Sequence, residues 1–176
     1  MSHMEKIRVL AADDEYWSRE NLRNLLPWQE YGMEFLEPAC DGEEVLERME
    51  QEHPDILLTD INMPFMDGLE LLSRMQTEYP EVVTVAVSGY DDFEKVKGTF
   101  LSGGIDYLLK PVGREDLEQV IRKIMDILEK RKKQKEQEDR TASVLSDGAF
   151  SALLNNQLYG REYTVEGFDC RMSGNT

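Results

Sequence analysis

The chain has 176 residues, 40% of them hydrophobic, enough for one buried core plus a tail or part of a second domain. Its 36 acids against 20 bases give a formal net charge of -16, which opposes non-specific binding to DNA or anionic membranes and favours cationic partners, metal ions included. No apolar run is long enough to cross a bilayer and no signal-peptide pattern opens the chain; Cys40 and Cys170 lie far apart without metal-ligand spacing, so two free thiols in a reducing cytoplasm are expected.

Residues 1–4 (MSHM) read as a tag remnant before a native start near Met4. "IRVLAA" (7–12) is a buried strand, and "EYWSRENLRNLL" (15–26) is a helix with Leu22, Leu25 and Leu26 on one face. "MEFLEPAC" (33–40) is a weaker strand, placed at a sheet edge by Pro38. A helix over 42–52 buries Val45, Leu46 and Met49, and "DILLTD" (55–60) is a strand. A helix over 68–79, an apolar strand over 82–89 and a helix over 91–103 weakened by Gly98 follow. "IDYLLKP" (105–111) is the fifth strand, and a last helix opens near Arg114. Five βα repeats of this kind imply an α/β fold, a doubly wound parallel sheet with helices on both faces.

This unit is expected to end near residue 128. Leu117, Ile121, Ile124 and Leu128 make a short heptad-like seam on the last helix. The charged stretch 129–140 reads first as a solvated helical linker, and as the sharper alternative as a signalling helix that pairs across a dimer. Residues 141–176 are expected to be partly helical or disordered, with Phe150, Leu153, Leu154 and Leu158 on one face of a helix capped by Asp147.

In doubly wound sheets, ligands sit at the carboxyl ends of the strands. Four strands end in polar residues: Asp13-Asp14, Asp60, Ser88, and Lys110 before Pro111. Each alone has a plain explanation. Asp13-Asp14 would cap a helix, Asp60 would be a loop acid, Ser88 a turn residue, Lys110 a solvated lysine and Pro111 an ordinary trans proline. Together they do not. Converging carboxylates repel, by roughly 4 kcal/mol for two charges ~4 Å apart at an effective dielectric near 20. A hard divalent cation such as Mg²⁺ relieves this and leaves room for phosphate oxygens. An aspartate beside it can attack phosphorus, while a lysine and a hydroxyl hold the phosphoryl oxygens. In the turn after Asp60, Met63, Phe65 and Met66 read as packing residues, and Pro64 and Asp67-Gly68 redirect the chain.

These residues carry a resemblance. "ADDE", "DINMPFMDG", "SGY" and "DYLLKPV", in this order and spacing, resemble the receiver domain of two-component response regulators over residues 5–128. The resemblance implies a flavodoxin-like (βα)5 sheet in strand order 2-1-3-4-5. It implies Asp60 as phosphoacceptor, charged by a sensor histidine kinase. It implies Mg²⁺ held by Asp13, Asp14, Asp60 and the Asn62 backbone carbonyl. Ser88 would be the switch hydroxyl, Tyr107 the switch aromatic, Lys110 the phosphate-binding lysine and Pro111 a cis proline. Asn62 and Tyr90 would tune phosphate lifetime. Ser88 stands where many receivers have threonine, and the hydroxyl is kept. The face made by the fourth helix, fifth strand and fifth helix would serve a homodimer or an output contact.

"LPWQEYGMEFLEPACDGEEVLE" and "SGYDDFEKVK" also resemble receivers joined to AraC-type DNA-binding domains. That implies transcription regulation by an output domain this chain is expected to lack, with no nucleic-acid or membrane contact by the chain itself. It would be a signalling domain that catalyses only its own phosphoryl transfer and dephosphorylation. Three other readings fit less well. A haloacid-dehalogenase-type phosphatase needs its nucleophile on strand one in Asp-x-Asp, but residue 15 is Glu. An unphosphorylated interaction module would lose part of the acid–lysine set. A flavodoxin phosphate loop is rich in Ser, Thr and Gly, where this chain has an acid pair.

Overall fold

A computed structural model describes residues 6–66, 68–89 and 106–169, the last of these for the backbone alone beyond residue 145, apart from an exposed Gly148. The expected tag remnant, Asp67, Tyr90, the helix over 91–103 and residues 170–176 lie outside the described residues. Five strands form one sheet: β1 (Ile7–Ala12), β2 (Met33–Phe35), β3 (Ile56–Asp60), β4 (Val83–Ser88) and β5 (Asp106–Leu109). All pair in parallel, in the order β2-β1-β3-β4-β5. This is the expected doubly wound, flavodoxin-like arrangement.

The helices are α1 (Tyr16–Leu25), α2 (Gly42–Glu52), α3 (Gly68–Glu78) and a C-terminal helix (Arg114–Asp169). Every residue of β3 and β4 is buried, so both faces of the sheet are covered. Successive strand residues point to opposite faces. Leu10, Ala12 and Leu57 therefore share one face, packed against Val45 and Met49 of α2 and Leu71 and Met75 of α3. Ile61, Leu72 and Ala86 form a smaller cluster flanked by Leu69 and Tyr107.

Local chemistry sets the helix ends. Asp41 caps α2 by accepting the Glu44 N–H at 2.8 Å, and Glu44 returns the bond to the Cys40 N–H, also at 2.8 Å. The N-cap of α1 is Glu15, which makes no side-chain cap. Neither Asp13 nor Asp14 caps the helix, and both are left for other work. At the entry to α3, Gly68 N–H donates to Ile61 O at 2.9 Å. A Cβ on Gly68 would lie 2.4 Å from Ile61 Cα, so only glycine allows this approach.

Several expectations need correcting. The second strand stops at Phe35, leaving only an isolated bridge from Ala39 to Ala12. Pro38 cannot donate to a ladder, which explains the early end. Leu25 is only half-buried beside buried Leu22 and Leu26. Met63 and Met66 are buried, but Phe65 is 91% exposed at a positive φ of 69°. The left-handed backbone aims its ring away from the core that its two neighbours enter.

The chain divides into two compact units, Met1–Met125 and Asp126–Thr176. In the first unit, Leu117, Ile121 and Ile124 are buried, so these side chains are not a free seam. In the second, residues 129–145 are exposed, and the backbone stays helical to Asp169 without a new start at Asp147. Among the described residues, no helix is long and apolar enough to cross a membrane.

Candidate functional site

Strand register builds the site. Ala12 is level with Thr59, so Asp13 and Asp60 come side by side one residue further on. Ser88 is level with Leu109, so Lys110 stands just beyond β5. Lys110 N–H donates to Ser88 O at 2.8 Å and fixes that exit. The Lys110–Pro111 peptide bond is cis. Residues 97 positions apart thus meet: Lys110 Nζ donates to Asp13 Oδ2 at 2.6 Å. The same ammonium donates to Asp60 Oδ2 at 2.9 Å.

The remaining carboxylate oxygens are held by backbone. Asp60 Oδ1 accepts the N–H groups of Ile61 at 2.7 Å and Asn62 at 3.2 Å. Asp13 Oδ1 accepts the Glu15 N–H at 2.8 Å. Asp60 and Asp13 are buried, while Asp14 is exposed. Asp13, Asp14 and Asp60 each offer an oxygen within 4.8 Å of the others.

Charge balance follows from these contacts. Burial pushes the Asp13 carboxyl above its ordinary value of 3.8; hydrogen bonds from Lys110 and the Glu15 N–H oppose the shift without cancelling it. Burial pulls Lys110 down, but its bonds to Asp13 and Asp60 outweigh this and raise it above 10.5. Lys110 is therefore a cation at neutral pH, set between two acids.

The donor set suits Mg²⁺. All three groups present hard oxygen atoms, close enough to share one ion, and exposed Asp14 leaves one side open to water. One lysine cannot neutralise three carboxylates, and a divalent cation would remove the residual repulsion. The exposed Asn62 lies two residues past Asp60 on the same turn.

Ser88 is fully buried at the end of β4, with its hydroxyl donating to Gly89 O at 3.2 Å. The Tyr107 hydroxyl donates to Ser88 O at 3.3 Å and Gly89 O at 3.4 Å. Tyr107 and Ser88 are thus in direct contact on neighbouring strands.

Sequence reading missed Arg19. Its Nη1 donates to the Asp13 carbonyl at 2.6 Å, and its guanidinium lies 5.9 Å from the Tyr16 ring centroid. The available signal was its position on the first turn of the helix after the acid pair, where a long side chain points back toward the N-terminus.

Comparisons with known proteins agree with this geometry. Residues 9–122 match the family model described as the response regulator receiver domain. The chain belongs to the response regulator receiver family. It is 38% identical over 124 residues to an uncharacterized response regulatory protein of Staphylococcus epidermidis, covering 70% of this chain and 47% of that protein. It is 34% identical over 148 residues to the transcriptional regulatory protein HptR of Staphylococcus aureus, covering 84% and 56%. The chain thus spans about half the length of the curated relatives it matches. Among solved structures, the receiver domain of AraT, a response regulator from Geobacillus stearothermophilus, superposes with a TM-score of 0.69 at 36% identity, covering 73% of this chain and 99% of that one. The two-component transcriptional regulator AraC of Clostridium phytofermentans gives 0.67 at 28%, covering 72% and 98%.

Proposed function

We propose that this receiver is switched by phosphorylation of Asp60. The observation that carries the reading is the Lys110 ammonium shared by Asp13 and Asp60 at the carboxyl edge of the sheet. An Asp60 carboxylate oxygen attacks the phosphorus of a phosphohistidine on a sensor histidine kinase. The P–N bond breaks as the P–O bond forms, and the imidazole leaves. Lys110 holds a phosphoryl oxygen, and the Ser88 hydroxyl turns from Gly89 O to donate to another. Asp13, Asp14, Asp60 and the Asn62 carbonyl would hold Mg²⁺, which would neutralise charge on the transferred group. Later hydrolysis restores the acid.

The phosphoryl group acts as a ligand that prefers one conformation. When Ser88 moves, the contact of the Tyr107 hydroxyl with Ser88 O and Gly89 O is lost, and Tyr107 turns inward. The surface around the fifth strand changes with it and serves a homodimer or an output contact. The output is transcription, in a protein of the AraC-type subfamily. The names of HptR, AraT and the Clostridium regulator support that reading. Asn62 and Tyr90 set the lifetime of the phosphate, and the protein acts in the cytoplasm.

Intact mass after incubation with Mg²⁺ and acetyl phosphate tests this. The wild type gains one phosphoryl group and Asp60→Asn gains none. Equal gain by Asp60→Asn, or none by the wild type, overturns the assignment.

A further inference from the structure

We propose that Arg19 is a positioning residue for the metal site: by holding the Asp13 carbonyl, it sets how the Asp13 and Asp14 carboxylates face a shared divalent cation. The inference rests on the Mg²⁺ reading above and adds a residue outside the metal's own ligands. Arg19 Nη1 donates to Asp13 O at 2.6 Å. That oxygen belongs to the peptide unit joining Asp13 to Asp14. The unit is planar, so holding its oxygen fixes the plane through which Asp14 follows Asp13. The other polar atoms of Asp13 are already held. Its N–H donates to Ala39 O at 3.1 Å, Oδ1 accepts the Glu15 N–H and Oδ2 accepts Lys110 Nζ. Arg19 holds the remaining one.

Arg19 makes this bond in place of the contact its helix offers. Glu15 stands four residues before it, the spacing and order of a favourable ion pair. Yet Glu15 Oε2 accepts the Ser18 hydroxyl at 3.0 Å. Arg23, Arg48, Arg74 and Arg114 each take a carboxylate three or four residues away on their own helices. Among the described residues no carboxylate pairs with Arg19, in a chain with 36 acids against 20 bases. The half-buried guanidinium lies instead 5.9 Å from the Tyr16 ring centroid. Ring and carbonyl together keep the side chain folded back along the first turn of α1. The acid pair is thus oriented before any ion arrives, as partners behind metal ligands generally do.

The sign of one measurement separates positioning from charge. On charge alone, removing a cation beside the acid cluster should tighten Mg²⁺ binding. Positioning predicts the reverse. The full chain is titrated with MgCl₂ and followed by backbone amide NMR shifts. Arg19→Met keeps an apolar stem and lacks the donors; its Mg²⁺ dissociation constant should rise about 10–100-fold, the range for partners behind metal ligands. Arg19→Ala should behave alike. In an Asp14→Ala background, Arg19→Met should weaken binding several-fold less, because the pair it orients is already broken. Unchanged or tighter binding by Arg19→Met, while the wild type binds, overturns this inference alone. So does full additivity with Asp14→Ala. A lower unfolding midpoint in chelator with an unchanged dissociation constant also overturns it, since Arg19 would then be merely structural. Absence of Mg²⁺ binding by the wild type overturns the metal reading and this inference with it.

Discussion

Lys110 Nζ lies 2.9 Å from Asp60 Oδ2, joining residues 50 positions apart, and the same ammonium holds Asp13. In this arrangement the lysine does in part what a divalent cation would do, neutralising acids that would otherwise repel. Lys110→Met leaves two buried carboxylates without their donor. Without divalent ions, unfolding titrations should show a loss of about 1.5–3 kcal/mol, the range for hydrogen bonds to charged groups. Mg²⁺ should recover more stability in the variant than in the wild type. Labelling of Asp60 by acetyl phosphate should slow on the order of 100-fold, because a preorganised donor to the phosphoryl oxygens is gone.

The Ser88 hydroxyl donates to Gly89 O, and the Ser88 carbonyl accepts from Tyr107. Ser88→Ala removes the first bond and keeps the second. Phosphoryl uptake should persist at a reduced rate, on the order of 100-fold lower by the loss of one preorganised donor. The phosphorylation-dependent change in Tyr107 fluorescence or side-chain NMR signals should shrink or vanish. An unchanged Tyr107 response would separate the two residues.

The Gly68 backbone packs directly against the backbone of Ile61, next to Asp60. A methyl group on Gly68 would meet Ile61 Cα at 2.4 Å, Ile61 O at 2.5 Å and Asp60 O at 2.8 Å, all backbone atoms that cannot swing aside. Gly68→Ala should cost about 3 kcal/mol by denaturant unfolding, with weakened Mg²⁺ binding because Asp60 is displaced. Gly89→Ala, where nothing lies within 4 Å, should change stability by no more than ~0.5 kcal/mol.

Asp13 makes a pH prediction. Burial leads its upward shift, opposed by Lys110 and the Glu15 N–H, with the Asp60 charge adding to the rise. The folded state therefore binds the proton more tightly than the unfolded chain, where the group titrates near 3.8. Stability from this group is complete below 3.8 and is lost as pH rises through the native value. Asp13→Asn lacks this loss. In chelator, melting temperatures of variant and wild type should diverge in the variant's favour as pH rises from below 4 toward neutrality. Mg²⁺ should close the gap by stabilising the wild type.

Phe65 pairs a positive φ of 69° with 91% exposure. Its ring gains little from burial, and its backbone is strained. Phe65→Asn should raise stability by about 0.5–1 kcal/mol, read from unfolding midpoints, since Asn tolerates the left-handed region.

The order of elements, the parallel sheet and the polar strand tips were legible in the sequence because local periodicity encodes them. Alternation of short apolar runs with 3.6-residue patterns is a property of neighbours along the chain. The convergence of Asp13, Asp60 and Lys110 also followed once the strands were known to be parallel, since one edge then gathers every carboxyl end. Tertiary structure decided what depends on distant partners. Lys110 bridging Asp13 as well as Asp60 follows from the register of β1, β3, β4 and β5, which no single segment contains. The early end of β2 and the outward Phe65 turn on backbone geometry that hydrophobicity alone reports wrongly. Burial of Leu117, Ile121 and Ile124 belongs to the same class, because a helical apolar stripe looks alike whether its own domain or another chain covers it.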